Sequence, residues 1–291
     1  MTWLLWLGLV LCVVAVVAVG LAAYGAARWT DTTRTLANKL DAARITEKTL
    51  PSPPAHYDSR ELEGLPAPVQ RYFRTVLKED QPVIATATIE LAGTFNMSAT
   101  GEQWRPFTSR QWVVTQRPGF LWDAQVSMLP GLAVRVVDSY IAGKGLLHAA
   151  ILGLFTMADI HGGGEIARGE FMRFFAEAAW YPTALLPSQG VRWEAVDDHC
   201  ANATIVDGPL TLTLLFRFDD AGLIGSFRAE ARSAAVGKET VMLPWEGSWS
   251  NYRMRDGVMV PFTGEVAWMH PDGRKPYFKG TVTSLTYGFA P

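Results

Sequence analysis

From residue 3 to residue 27 the chain carries no charged side chain, and this run constrains the rest of the molecule more than any other feature. As a helix rising ~1.5 Å per residue it reaches roughly 37 Å, more than the ~30 Å of a bilayer's hydrocarbon core. Trp3 and Trp6 stand at one end, Tyr24 and Trp29 at the other, where amphipathic rings settle at the two membrane–water interfaces. A cleaved signal peptide is the competing reading. It is disfavoured because no basic residue precedes the run, the run exceeds the usual ~7–15 apolar residues, and the small residues from Ala23 to Ala27 make a poor cleavage site. A transmembrane helix over residues 1–28, retained as a single-pass anchor in the cell membrane, is therefore expected. One of the two cysteines, Cys12, lies in this run and the other, Cys200, far from it, so no disulfide framework is expected.

The basic residues Arg28, Arg34, Lys39, Arg44 and Lys48 all come after the run, which by the positive-inside rule places the rest of the chain in the cytoplasm. Residues 31–50 read as a weakly amphipathic juxtamembrane helix. Leu50-Pro51-Ser52-Pro53-Pro54 then reads as a stiff extended spacer. Residues 29–55 are thus expected to be a linker and residues 56–291 a single β-rich globular domain. On this division, removing residues 1–50 should leave the domain folded. With 26 Lys+Arg against 28 Asp+Glu there is no field to attract polyanions, so nucleic acid is not an expected partner.

The domain opens with a helix, since Val69, Tyr72, Phe73, Val76 and Leu77 recur at i, i+3, i+4, i+7 and i+8 behind Pro66 and Pro68. The natural partner for that stripe is the sheet that follows, where Val83, Ala85, Ala87, Ile89, Leu91, Gly93 and Phe95 alternate with polar neighbours. Further strand patterns surround Trp112, Leu121 to Val126 and Val134 to Tyr140. A second helix is expected from Gly164 to Trp180, with Phe171, Phe174 and Phe175 on an apolar stripe and Glu170, Arg173 and Glu177 on a polar one. Next comes a clear hairpin: Leu210, Leu212, Leu214, Phe216 and Phe218 alternate with polar residues, and Asp219-Asp220-Ala221-Gly222 turns the chain. The return strand sets Leu223, Gly225, Phe227, Ala229 and Ala231 against Ile224, Ser226, Arg228, Glu230 and Arg232. Asp256-Gly257 and Asp272-Gly273 mark two more turns. The fold class is α+β: an N-terminal transmembrane helix, then a mostly antiparallel, curved sheet, a meander or half-barrel, with one or two helices packed on it.

Four strings resemble an uncharacterised bacterial family of unknown function: Leu65-Pro66-Ala67-Pro68-Val69-Gln70-Arg71-Tyr72-Phe73, Ala176-Glu177-Ala178-Ala179-Trp180-Tyr181-Pro182-Thr183-Ala184, Pro244-Trp245-Glu246-Gly247 and Gly264-Glu265-Val266-Ala267-Trp268. The resemblance spans roughly residues 60–285 and assigns no activity. More loosely, the pattern resembles the lipoprotein-carrier fold of the bacterial periplasm, whose members hold acyl chains in an apolar cavity. That resemblance implies a site outside the inner membrane, whereas the charge pattern implies the cytoplasm.

His161-Gly162-Gly163-Gly164 resembles the oxyanion loop of lipases, but no Gly-x-Ser-x-Gly elbow occurs in the chain, and a glycine hinge into the helix is the better reading. The five histidines never fall at chelating spacing, so no metal and no cofactor is expected; His148, in an apolar stretch, reads as a core histidine. Glu177, Glu246 and Glu265 lie beside tryptophans, an environment that raises a carboxyl pKa, and paired acids beside aromatic platforms are what glycoside-cleaving sites use. They are the catalytic candidates for a carboxylate-dependent hydrolase acting on a membrane-associated or glycan substrate. The first expectation is different: a membrane-anchored binding module with an apolar cavity for a lipid or other hydrophobic ligand. One wall would carry Phe171, Phe174 and Trp180, the other Trp245, Trp249 and Trp268, with Arg173 and Glu177 orienting a polar headgroup at the rim. A structural interaction scaffold is the third reading, and would need a large exposed apolar patch.

Overall fold

The computed structural model describes residues 2–46, 54–98, 101–236 and 239–290; most of the expected Pro-rich spacer lies outside them. One helix, α1 (Thr2–Thr46), runs unbroken through the apolar segment and beyond it, and is long and apolar enough to cross a membrane. After a 3-10 turn (Ser59–Leu62) comes α2 (Ala67–Val76), begun by Pro66 and Pro68 as expected. Six strands succeed it: β1 (Ile84–Asn96), β2 (Trp104–Val114), β3 (Gly119–Leu129), β4 (Leu132–Ile141), β5 (Lys144–Ile151) and β6 (Phe155–Gly162). Helix α3 (Glu165–Ala176) and three short 3-10 turns interrupt them. The chain finishes with β7 (Arg192–Ala195), β8 (Cys200–Asp207), β9 (Leu210–Phe218), β10 (Ile224–Val236), β11 (Glu239–Arg255), β12 (Val258–His270) and β13 (Gly273–Phe289).

All 13 strands form one antiparallel sheet in the order β6-β5-β4-β3-β2-β1-β13-β12-β11-β10-β9-β8-β7. Two meanders are thus joined where the first strand pairs with the last. The sheet is open but strongly curled: the Tyr140 hydroxyl of β4 donates to Asp207 Oδ2 of β8 at 2.5 Å, although nine ranks separate those strands in the sheet order. Helix α3 fills the seam, with Phe171 stacked on Tyr140 at 5.0 Å and Phe175 against Phe216 at 5.9 Å.

The concave face holds the core. Period-2 alternation puts Ala87, Ile89, Leu91, Phe120, Trp122, Ala124 and Val126 inside, and α2 and the turns from Glu177 to Gln189 cover one end of the half-barrel. Helix α2 meets β8 and β12, and its rings reach their neighbours, Tyr72 on Phe218 of β9 and Phe73 on Trp193 of β7. Its partner is the sheet that follows it, as the apolar stripe predicts, met through strands of the late half.

The segment after the apolar run is not a free linker. The second half of α1 lies on the convex face, where Trp29 and Leu40 are buried with Val114, Leu121, Val137 and Ala150 in a separate apolar cluster. Trp29 donates its indole N–H to Asp123 Oδ1 (2.9 Å), the Thr33 hydroxyl donates to Asp123 Oδ2 (3.3 Å), and Trp29 stacks on His148 at 5.4 Å. His148 is therefore on the outer face beneath α1, not in the main core. Burial raises the Asp123 carboxyl above the usual range, against the hydrogen bonds from Trp29 and Thr33. At Gly25 the helix wedges onto the β5–β6 turn, where a Cβ would collide with the Leu152 carbonyl oxygen.

Candidate functional site

The register of β2, β3 and β4 arranges the inner face in rows. Val113, Phe120 and Tyr140 form the deepest; then come Gln111, Trp122 and Asp138, then Ser109, Ala124 and Val136, then Phe107, Val126 and Val134 nearest the uncovered end. The second row is polar, and α3 completes it. Arg173 Nη1 binds Asp138 Oδ2 at 2.7 Å, Arg173 Nε binds Glu177 Oε1 at 2.8 Å, and Gln111 Nε2 donates to Glu177 Oε2 at 2.6 Å. The guanidinium lies over the rings of Trp122 at 4.6 Å and Phe120 at 5.0 Å. Arg173 and Glu177 pair at i, i+4, and the polar stripe of α3 faces this buried charge cluster.

Arg232 joins from the opposite wall. A register irregularity between Ala229 and Arg232 on β10 reverses the expected alternation. It turns Arg232 inward, over Trp245 at 4.2 Å and Trp268 at 5.6 Å, with Glu170 at 4.0 Å. Three carboxylates and two guanidiniums thus share one interior. Burial, then the neighbouring Asp138, pushes the Glu170 carboxyl up to about 8, so it holds a proton at neutral pH. Burial also raises Asp138, against the pull of Arg173 and Arg232. Several buried polar atoms here find no partner among the described residues: Asp138 Oδ1, Glu170 Oε2, Ser109 Oγ and Trp122 Nε1.

Beyond this cluster the concave face becomes apolar and only half-buried. Phe95, Met97, Met128, Trp268, Tyr277 and Phe278 pack against the core without being enclosed by it. Phe107 lies 5.1 Å from Phe278, Phe95 5.7 Å from Tyr277, and Trp268 stacks on Tyr277 at 6.0 Å. The Trp245 indole N–H donates to the Tyr277 hydroxyl at 3.0 Å.

The expected ligand residues therefore separate. Phe171, Phe174, Trp180 and Trp249 lie in the enclosed core, where Trp180 donates to the Pro261 carbonyl at 3.0 Å and meets Trp249 at 4.8 Å. Arg173 and Glu177 belong to the charged row, Trp245 is buried beside it, and Trp268 is half-buried towards the open end. The catalytic candidates do not converge. Glu177 is inside, whereas Glu246 and Glu265 alternate to the outer face, paired with Arg274 at 2.7 and 2.5 Å. There the Arg274 and Lys279 hydrogen bonds outweigh partial burial and hold Glu265 below the usual carboxylate range. Among the described residues no cluster of three His, Cys, Asp or Glu side chains could hold a metal ion. Gly162 and Gly164 adopt positive φ of 128° and 67° in the sharp turn from β6 into α3, which accounts for the glycine run.

Asp138, Gln111 and Arg232 do not stand out as site residues in the sequence. The strand pattern around Val134 to Tyr140 does contain a signal for Asp138, since it breaks the apolar alternation on the inner face. Nothing local signals the bulge that redirects Arg232.

No curated protein matches the chain. Among solved structures, a LolA superfamily protein from Nitrosomonas europaea is similar at 10% identity and a TM-score of 0.41, covering 77% of this chain and 93% of that one. A β-barrel-like protein of the domain of unknown function DUF1849 from Brucella abortus is similar at 10% identity and a TM-score of 0.22, covering 71% of this chain and 99% of that one. Residues 63–287 match the model of a family of unknown function, DUF6920, and the chain belongs to that family.

Proposed function

We propose that this protein is a membrane-anchored binding module that holds one acyl-bearing amphiphile in its half-barrel. The observation that carries this reading is the change of character along one concave wall. A buried charged row with unpartnered hydrogen-bonding atoms gives way to half-buried aromatics at the uncovered end. Unpaired buried polar atoms cost free energy, and a polar head placed among them would satisfy them. The clustered rings offer an acyl chain a surface that leaves water. Arg173 and Arg232 face Asp138, Glu170 and Glu177 in this interior, so donors and acceptors for a polar head are both present. Retention of the anchor is supported by the continuity of α1: cleavage among residues 23–27 would cut a helix where Gly25 is wedged onto the sheet.

Native mass spectrometry of the detergent-extracted full chain tests the reading. One lipid is expected to survive on the wild type under activation that strips loosely held lipid, and to be lost in Phe278→Arg, which puts a charge in the mouth. Equal retention in both would mean that the lipid, if any, sits elsewhere.

A further inference from the structure

The anchor and the mouth lie at the same end of the half-barrel. The docked part of α1 runs from the β5–β6 turn, where Gly25 touches Leu152 and Leu154, towards Gly119, whose Cβ position is 2.9 Å from the Leu40 side chain. Gly119 opens β3 at the covered end, whereas the β3–β4 and β5–β6 turns lie at the uncovered end. Residues 3–24, extending the other way from Gly25, therefore project past the uncovered end, and at ~1.5 Å per residue they match the thickness of a bilayer core.

The surface at that point differs from the rest of the rim. The β3–β4 turn reads Met128-Leu129-Pro130-Gly131-Leu132 and the β5–β6 turn reads Ile151-Leu152-Gly153-Leu154-Phe155, with no charge in either. Taken with the strand residue on each side, every other strand-to-strand turn in the chain includes a charged residue, such as Arg117, Lys144, Asp207, Asp256 or Asp272. The two neutral turns also expose large apolar side chains: Leu129 is 62% exposed, Phe155 61% and Met157, nearby on β6, 56%. Arg135 is close by, with its side chain 3.4 Å from the Cβ position of Gly153, and Arg28 follows Gly25 by three residues on α1.

We propose that the β3–β4 and β5–β6 turns are a membrane-docking surface: Leu129, Phe155 and Met157 enter the interfacial layer of the bilayer that α1 crosses. Apolar side chains at an interface gain by leaving water, and neighbouring arginines gain from anionic headgroups. Docking at two further points beside the anchor fixes the tilt of the half-barrel and turns its half-buried mouth towards the lipid surface. This inference rests on the retained anchor, but not on the presence of a bound amphiphile.

The test uses the full chain with Cys12→Ala, leaving the buried Cys200 in place, in vesicles of phosphatidylcholine and phosphatidylglycerol. Single cysteines at Leu129, Phe155, Val14, Lys144 and Asp272 carry an environment-sensitive fluorophore. Labels at 129 and 155 are expected to be quenched several-fold more by acyl-chain nitroxide lipid than labels at 144 and 272, and the latter two more by aqueous iodide. If 14 is quenched by the lipid nitroxide while 129 and 155 behave like 144, the docking surface is refuted and the anchor stands. If 14 is not quenched by lipid, the anchor is refuted and the surface with it. Neither outcome bears on the lipid retained in mass spectrometry, so the two proposals fail separately.

Discussion

The two ends of the half-barrel are built from the same strands and the same residue types, yet they end in different states. At the end covered by α2 and the 3-10 turns, Tyr72, Phe73, Trp180 and Tyr181 have almost no contact with solvent. At the other end Phe95, Trp268, Tyr277 and Phe278 occupy equivalent inner-face positions and stay half-buried. Inward alternation puts an aromatic ring on the concave face; only a second layer makes it core. On the proposed reading the difference separates stability from recognition, and substitutions at each end can probe that division.

The largest effect is expected at the covered end. Trp180→Ala removes a ring packed on Trp249 and leaves the Pro261 carbonyl without its donor, which should cost about 3–5 kcal/mol. Trp268→Ala, at the open end, removes a half-buried ring that stacks on Tyr277 beneath the Arg232 guanidinium, and should cost about 1 kcal/mol. Denaturant melts of the two variants decide: equal losses would erase the distinction between the ends.

A somewhat smaller effect should result from stripping the convex face. A chain starting at residue 28 keeps Trp29, Thr33 and Leu40 on the sheet, whereas one starting at residue 51 uncovers Leu121 and Val137. The shorter chain should be less stable by roughly 2–4 kcal/mol, because apolar burial is partly offset by the entropy of ordering the helix. Matching thermal unfolding midpoints would restore residues 29–46 to the status of a linker.

Much of this division is legible in the sequence and some is not, for identifiable reasons. The period-2 runs mark the sheet, the 3.6-period stripe behind Pro68 marks α2, and the uncharged run marks the apolar half of α1. The docked half of α1 reads as weakly amphipathic because its buried stripe runs through Gly25, Trp29, Thr33 and Leu40, too sparse to stand out among its threonines. Trp180 and Trp268 cannot be told apart by local sequence, since what separates them is the far-off chain that covers one and not the other. The inward turn of Arg232 depends on a single irregularity in β10. Glu170, Arg173 and Glu177 look like a solvated stripe because their counter-charges, Asp138 and Arg232, come from strands distant in the chain.

The most specific effect concerns the boundary between the two ends, where the charged row lies. Glu170 is buried, with its Oε2 unpartnered and Arg232 4.0 Å from Oε1. Its carboxyl is raised from the ordinary 4.5 to about 8. Between those values the folded chain holds a proton that the unfolded chain has released, so stability must fall as pH rises. The contribution is complete below about 4.5 and is lost as pH climbs through about 8. One proton sets the limit of the slope at ~1.4 kcal/mol per pH unit. Asp138, also raised, adds a slope of the same sign, whereas Glu265, held low by Arg274 and Lys279, acts only at acid pH and with the opposite sign. Glu170→Gln keeps the shape and removes the proton exchange. Its unfolding midpoint should match the wild type near pH 5 and exceed it near pH 8. If the difference between the two chains does not change with pH, Glu170 is not the group that titrates, and the charged row does not hold its proton there.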